Sequence, residues 1–168
     1  TWSNYYTQIQ YINSFLENKA KVPDAAQRRR VEGEAHFFRA YYYYMLWRRF
    51  GGVLLIDHTY DPLTHAEKFP RASYEQMVSF IVAEAGKADS LLAVTNGASD
   101  VGRVTRGAAI MLKAKTYLWA SSPVFQNKSK SYLGFTGDQS QTMLQKARAA
   151  YDQLFALNRY QLVPVTAT

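Results

Sequence analysis

The chain has 168 residues, of which 48% are hydrophobic and 20% charged, so it can build a folded core and is not expected to be disordered. Its formal net charge of +7 permits an anionic partner without identifying one. The absence of cysteine excludes a disulfide framework, a zinc–thiolate site and a cysteine nucleophile. No apolar run approaches the ~18 residues of a membrane-spanning helix. Aromatic residues reach 15%, with 13 tyrosines, a residue type that suits cores near water and binding faces.

The first two predicted helices cover residues 4–18 and 25–50. Apolar residues at helical spacing indicate the first helix, and Val22-Pro23-Asp24 separates it from the second. Gly51-Gly52 is a strong signal for the end of the second helix. The second helix has apolar residues on two roughly opposite faces, separated by thin polar strips. We therefore expect it to be packed on both sides, as an inner helix of a stack.

The rest of the chain predicts three more helices joined by long connections. Ser73 begins the third helix with a capping-box pattern, and Asn96-Gly97 is expected to end it. The other predicted segments are an extended run at 53–56, a loop at 57–71, a helix at 105–122 closed by Pro123, a polar loop at 125–138, a helix at 140–158 and an extended tail at 160–165.

An internal repeat supports pairing of these helices. Small and aromatic residues of the second helix recur 74 residues later in the fourth: Gly33, Ala35, Ala40 and Tyr43 match Gly107, Ala109, Ala114 and Tyr117. This separation is longer than two tetratricopeptide repeats of ~34 residues each, which leaves room for loop insertions. The matched positions indicate stacked helix–turn–helix units. The sequence thus predicts an all-α fold of about five main helices in tetratricopeptide-like repeats with long loops, forming a single helical-repeat domain over residues 1–168.

No group of residues in the sequence has the spacing of an active site. His36 is expected to pair with Glu32, one turn earlier on a helix surface, and His58 and His65 are interpreted as loop residues. Glu32 and Glu34 are two residues apart and point to different sides of a helix, so they are interpreted as solvated rather than as the paired carboxylates of a glycosidase. We therefore expect no enzymatic activity, no cofactor and no bound metal.

Two arginine clusters are the strongest basic signal, at 28–30 and 48–49. A nucleic-acid interface would combine them with exposed aromatic residues. The second cluster lies in the last turn of its helix, where cations interact favourably with the helix dipole. We interpret the first cluster as a solvated charge run.

Aromatic residues in loops are the candidates for stacking on a ligand, because aromatic residues in helices are more often core. The loop candidates are Tyr60, Phe69, Phe125, Tyr132 and Phe135, and Trp119 borders the turn that follows the fourth helix. From this set Tyr60, Phe125 and Tyr132 are the predicted ligand-binding residues. For each of them, a role in holding its loop on the core is an equal alternative.

The sequence GEAHFFRAYYY at 33–43, followed by RFGGV at 49–53, resembles the hallmark of the SusD/RagB family. Segments beginning at Arg71 and Gly102, and the segment 160–162, resemble later family motifs in the same order. His36 stands where arginine is usual. The signature positions carried over from the family are Gly33, Glu34, Ala35, Arg39, Ala40, Tyr43, Gly51 and Gly52.

The resemblance implies a non-enzymatic, nutrient-binding lipoprotein on the extracellular face of the Bacteroidetes outer membrane. Such proteins bind oligosaccharides or peptides and cap a SusC-like TonB-dependent transporter, against which their tetratricopeptide-like core packs. The resemblance also implies that this chain is part of a longer protein, with its lipid anchor and further binding residues outside the segment. Nucleic acid is not an expected partner. Two other hypotheses stay open: a generic helical-repeat adaptor for proteins, and a basic, aromatic RNA-binding protein.

Overall fold

The computed structural model describes residues 2–61 and 69–161. The helices in these residues are α1 Trp2–Asn18, α2 Ala25–Phe50, α3 Tyr74–Leu91, α4 Arg106–Ala120 and α5 Ser140–Phe155. Three short 3-10 turns accompany them, at Lys19–Lys21, Ala98–Asp100 and Pro123–Phe125. Leu54 and Arg71 form an isolated antiparallel bridge, in agreement with the extended run predicted at 53–56. The predicted all-α fold is confirmed.

Helices that follow one another in the chain pack side by side and form a stack. Helix α2 packs against both α1 and α3, α3 also packs against α4, and α4 packs against α5. The pairs α2–α3 and α4–α5 are therefore the two helix–turn–helix units that the internal repeat predicts. Helix α2 is an inner helix, as its two apolar faces indicate, and it supplies Ala40, Tyr43, Leu46 and Trp47 to the main core.

Local capping explains where α2 and α3 begin. The Asp24 side chain accepts a hydrogen bond from the backbone amide of Gln27 at the start of α2. At the start of α3, the Ser73 hydroxyl accepts from the Gln76 amide, and the Gln76 side chain accepts from the Ser73 amide. This is the capping box predicted from the sequence.

Helix α3 ends at Leu91, five residues before the predicted stop at Asn96-Gly97, so that prediction is wrong. Leu92 is extended and nearly buried, with its side chain against α2 at Gly33. Long-range packing, rather than the local glycine signal, therefore ends the helix.

The two glycines of the internal repeat have the same structural role. A Cβ atom at Gly33 would lie 3.0 Å from the side chains of Leu91 and Leu92, at the end of α3. A Cβ atom at Gly107 would lie 2.0 Å from the Tyr160 hydroxyl, just after α5. In each pair, a residue at or after the end of the second helix packs closely on a glycine in the N-terminal part of the first helix.

The segment 125–138 is not simply the polar loop that its composition predicts. Phe135 is 4% exposed and belongs to the main core. Its amide donates to the Phe125 carbonyl at 2.8 Å, and its carbonyl accepts from the Lys128 amide at 2.8 Å, so the segment folds back on itself.

The last two helices are slightly shorter than predicted. Helix α4 ends at Ala120, because Pro123 opens a 3-10 turn, and α5 ends at Phe155, before Asn158 turns left-handed at φ 51°. His65, and the greater part of the tail predicted at 160–165, lie outside the described residues.

Candidate ligand-binding grooves and the ion network that positions them

A buried carboxylate on α3 organises the contact between α2 and α3. Glu84 is 1% exposed, and its oxygens accept hydrogen bonds from Arg39 Nε at 2.7 Å and Lys87 Nζ at 2.8 Å. His36 Nδ1 lies 2.7 Å from the same carboxylate. Burial alone would raise the pKa of Glu84, but these three partners together lower it to about 2. Glu84 is therefore ionised in the folded chain at neutral pH.

Arg39 extends this network to α1 and to the segment after α2. Its Nη1 donates to Asn13 Oδ1 at 2.9 Å and to the Asp57 carbonyl at 3.1 Å. Asn13, fully buried on α1, in turn donates to the carbonyls of Ile56 and His58. One buried arginine thus connects α1, α2, α3 and the extended segment.

The surface role predicted for His36 is wrong. His36 is 7% exposed, and Glu84 is its close partner, while its Nε2 lies 3.9 Å from Glu32. The predicted contact with Glu32 is thus present as a longer second pairing, and Glu32 also pairs with Lys19. The reason is that α3 packs over this part of α2 and brings a carboxylate from 48 residues away.

The other signature residues also make contacts within the scaffold. Glu34, predicted to be solvated, accepts from Arg103 Nε at 2.8 Å and Nη2 at 2.7 Å, which joins α2 to the segment before α4. The Tyr43 hydroxyl accepts from the Ile56 amide at 2.7 Å and donates to the Ile56 carbonyl at 2.9 Å. Burial raises the pKa of this hydroxyl. Ala35 and Ala40 are buried.

The glycine pair at the end of α2 lets three segments meet. Gly51 has φ +68°, and a Cβ there would lie 2.2 Å from the Tyr132 carbonyl oxygen. A Cβ on Gly52 would lie 1.8 Å from the Ala72 carbonyl oxygen. Because the Gly52 amide also donates to the Tyr132 carbonyl at 2.6 Å, only glycine fits this crossing.

The arginine cluster 28–30 is not the solvated charge run predicted from the sequence. Its three side chains donate, in order, to the Val22 carbonyl at 2.8 Å, the Ser90 carbonyl at 2.5 Å and the Asp100 carboxylate at 2.9 Å. The cluster therefore ties the start of α2 to its neighbours, which weakens the nucleic-acid hypothesis.

A groove between the end of α2 and the end of α4 combines aromatic rings with positive charge. We call it the Trp119 groove. Its volume is about 600 Å³, and its lining residues are Tyr44, Arg48, Lys115, Leu118, Trp119, Ser122, Val124 and Phe125. The Arg48 guanidinium carbon lies 4.3 Å from the centre of the Trp119 ring and 5.3 Å from that of Tyr44.

A second groove lies along α1, and we call it the α1 groove. Its volume is about 440 Å³, and it is lined by residues that include Trp2, Tyr6, Tyr11 and Tyr60. Tyr11 is 66% exposed. Gln10 Nε2 donates to the Tyr60 carbonyl at 2.9 Å and fixes the groove's edge.

The structure places the three predicted ligand-binding residues in three different surroundings. Tyr60 lines the α1 groove, with its ring centre 5.1 Å from that of Phe69. Phe125 lines the Trp119 groove and stacks on Tyr74 at 5.2 Å.

Tyr132 lies under the Arg71 guanidinium at 4.0 Å, and its backbone holds Gly52. Tyr132 is not a lining residue of either groove.

Two groove residues were missed by the sequence prediction. The sequence accounts for Arg48 through the helix dipole and places Trp119 at the border of a turn, and it assigns a ligand to neither. Selecting loop aromatics alone excludes rings that project from the last turn of a helix. A helix-end arginine and a helix-end tryptophan beside loop residues would have been the signal.

Neither a metal site nor a membrane span is found in the part of the chain that the structure describes. Across 2–61 and 69–161, no three His, Cys, Asp or Glu side chains are grouped so that they could hold a metal ion. None of the helices in these ranges combines the length and apolarity needed to cross a bilayer.

Known proteins resemble the chain in sequence and fold. The model of a SusD-like family described as "Starch-binding associating with outer membrane" matches residues 1–118. A SusD-like protein from Bacteroides fragilis is 28% identical, with a TM-score of 0.76 over 96% of this chain and 27% of its own. A laminarin-binding SusD-like protein is 28% identical, with a TM-score of 0.66 over 71% of this chain and 26% of its own.

A third structure, with xylogluco-oligosaccharide, is 25% identical, with a TM-score of 0.75 over 96% of this chain and 30% of its own. The chain thus spans between a quarter and a third of the length of these proteins. No curated protein sequence matches it. The resemblance read from the sequence is confirmed, and the chain belongs to the SusD-like family.

Proposed function

We propose that this chain is the helical-core portion of a non-enzymatic glycan-binding subunit of a nutrient-uptake complex at the outer membrane. The family description and the relatives described with laminarin and xylogluco-oligosaccharide support the ligand class. In this proposal the subunit is held on the extracellular face by a lipid anchor outside the segment. It delivers its ligand to a SusC-like TonB-dependent transporter.

The Trp119 groove is the observation that carries the proposal. Its volume of about 600 Å³ falls within the range of roughly 300–1,000 Å³ found for small-ligand sites. Aromatic faces pack against the apolar face of a sugar ring, and charged or hydroxyl groups beside them can bond its substituents. The groove offers both, through Trp119 and Phe125 on one hand and Arg48 and Ser122 on the other.

The α1 groove is a further candidate contact for the same ligand class. Exposed rings of Trp2 and Tyr11, with Tyr60 at the edge, give it a similar aromatic lining. In the proposal Tyr60 and Phe125 contact glycan from their respective grooves. Tyr132 stays a predicted contact through the ring face that Arg71 does not cover.

The transporter is proposed to contact the apolar cleft between α1 and α2. This cleft has a volume of about 460 Å³ and is lined in part by Ile12, Phe15 and Phe38. Phe38 is 38% exposed although it lies in the middle of an inner helix. Large exposed apolar patches are typical of protein-binding surfaces.

Two measurements on the full-length natural protein test the proposal. A glycan and peptide array should show binding to an oligosaccharide; binding to peptides alone would favour the adaptor hypothesis. Purification from membranes should recover a TonB-dependent barrel, and Phe38→Ser should reduce that recovery. A protein that binds no glycan and recovers no barrel would overturn the proposal.

A further inference from the structure

The charge of the Trp119 groove narrows the ligand class beyond glycans in general. We infer that the groove binds an acidic oligosaccharide, one whose sugar units carry carboxylate or sulfate groups. The inference rests on the proposed glycan-binding function and adds the charge of the ligand to it.

The groove has two cationic side chains and no acidic one. Of its eight lining residues, Arg48 and Lys115 are basic, and the rest are neutral. Both side chains are exposed. Within 2–61 and 69–161, neither forms an ion pair with a carboxylate, whereas Arg30, Arg39, Arg103 and Arg106 do. The groove therefore has positive charge that no described acidic residue neutralises.

The position of Arg48 suits an anion that presents two oxygens side by side. Its guanidinium lies over the Trp119 ring at 4.3 Å and interacts with the Tyr44 hydroxyl, and both contacts restrain the side chain. A stacked guanidinium presents its remaining N–H groups along its edge. That edge matches the two oxygens of a carboxylate or a sulfate, which can accept paired, charge-assisted hydrogen bonds. Because the Arg48 side chain is already restrained before a ligand arrives, it loses less conformational freedom on binding.

A neutral glycan would fit the same rings less well. Covering the groove removes water from Arg48 and Lys115, and desolvating an unpaired charge is costly. An acidic sugar replaces the lost water with a counter-charge. The aromatic side chains then pack against the sugar ring, and the two cationic side chains pair with the acidic substituent of the same ligand.

A long nucleic acid fits this surface poorly. Nucleic-acid interfaces extend positive charge along a stripe of Lys and Arg. The other basic cluster on α2, at 28–30, lies 18 or more residues away, which is about 27 Å along a helix. Its three arginines already donate to groups within the chain.

The test is calorimetric titration of the full-length natural protein with defined oligosaccharides. The carboxylate probe is tetragalacturonate, and its fully methyl-esterified form is the matched neutral probe. A sulfated heparin tetrasaccharide provides the second anionic arm. We expect at least one anionic probe to bind about tenfold or more tightly than the methyl ester, and to bind more weakly as salt rises.

Charge-removing variants then locate the binding site. Arg48→Gln with Lys115→Gln should weaken the anionic probe at least tenfold, because each charged hydrogen bond contributes on the order of a factor of ten. The control Lys21→Gln with Arg148→Gln removes the same charge from exposed positions elsewhere and should leave affinity within about twofold. Arg48→Lys, which keeps the charge but not the planar edge, should give an intermediate affinity.

The outcomes separate this inference from the proposed function. Equal affinity for tetragalacturonate and its ester, with the sulfated probe no tighter, would overturn the inference while glycan binding itself survives. Equal loss in the groove and control variants would also overturn it, because the effect would then come from net charge alone. Binding of single-stranded RNA with no oligosaccharide binding would overturn both.

Discussion

Replacing Glu84 with glutamine tests the buried ion network most sharply. The change keeps the shape of the side chain but removes its charge and substitutes an N–H₂ group for one oxygen. The side chains of Arg39 and Lys87 can only donate hydrogen bonds. The N–H₂ group of the new glutamine is also a donor, so it cannot bond to whichever of these two side chains it meets. Arg39, which is 6% exposed, would also lose its counter-ion.

The expected loss follows from this burial. Removing one partner of a buried ion pair typically costs about 3–5 kcal/mol. Because glutamine keeps one acceptor, we expect about 3 kcal/mol for Glu84→Gln. For a chain of this size, about 1 kcal/mol corresponds to roughly 2–4 °C, so Tm should fall by about 6–12 °C.

The assay is thermal unfolding followed by far-ultraviolet circular dichroism, with Glu75→Gln as the control. Glu75 lies on the same helix, in its exposed first turn, and its loss should cost about 0.3–1 kcal/mol through the helix dipole. If Glu84→Gln and Glu75→Gln lower Tm equally, the network does not stabilise the fold and the reasoning is refuted.

The same network predicts how stability depends on pH. The pKa of Glu84 is about 2 in the folded chain, below its ordinary value of 4.5. A lowered carboxyl pKa contributes stability that is fully present above about pH 4.5 and is lost as pH falls towards 2. At about 1.4 kcal/mol per pH unit, the contribution is on the order of 3 kcal/mol. The stability difference between wild type and Glu84→Gln should therefore shrink over this range in urea titrations.

Three further predictions concern the scaffold. Gly52→Ala should destabilise the fold by about 2–3 kcal/mol in urea unfolding, because its Cβ would lie 1.8 Å from a backbone carbonyl oxygen. Gly86→Ala should instead stabilise it by up to about 1 kcal/mol, because nothing lies within 4 Å and alanine favours the helix; a loss at Gly86 would contradict the packing of α3. Tyr43→Phe should cost about 1–3 kcal/mol, because the buried Ile56 amide loses its acceptor while the Ile56 carbonyl keeps only its bond from Asn13. Tyr11→Phe, on an exposed residue, should change stability by less than about 0.5 kcal/mol.

Local signals made the helix boundaries at Asp24, Gly51 and Ser73 predictable. Each depends on residues within three positions of the boundary, through a cap or through a left-handed glycine. The end of α3 was not predictable in this way. It depends on Leu92 packing against Gly33, a contact between residues far apart in the sequence.

The site depends on the same kind of long-range contact. Arg48 and Trp119 face each other only because α2 and α4 end on the same side of the stack. Likewise, the residues of α2 alone place His36 on the helix surface. Its partner Glu84 lies on the next helix, α3, 48 residues away in the sequence. A helical wheel gives the polar strip but does not show what covers it.

The most direct test of the central claim is oligosaccharide binding by the full-length natural protein and its Trp119→Leu variant. Binding on a glycan array, followed by calorimetry on the tightest ligand, should show affinity that falls about tenfold in the variant while Tm stays within a few degrees. Absence of glycan binding across the array, or a Trp119→Leu variant that binds as tightly as wild type, would contradict the account.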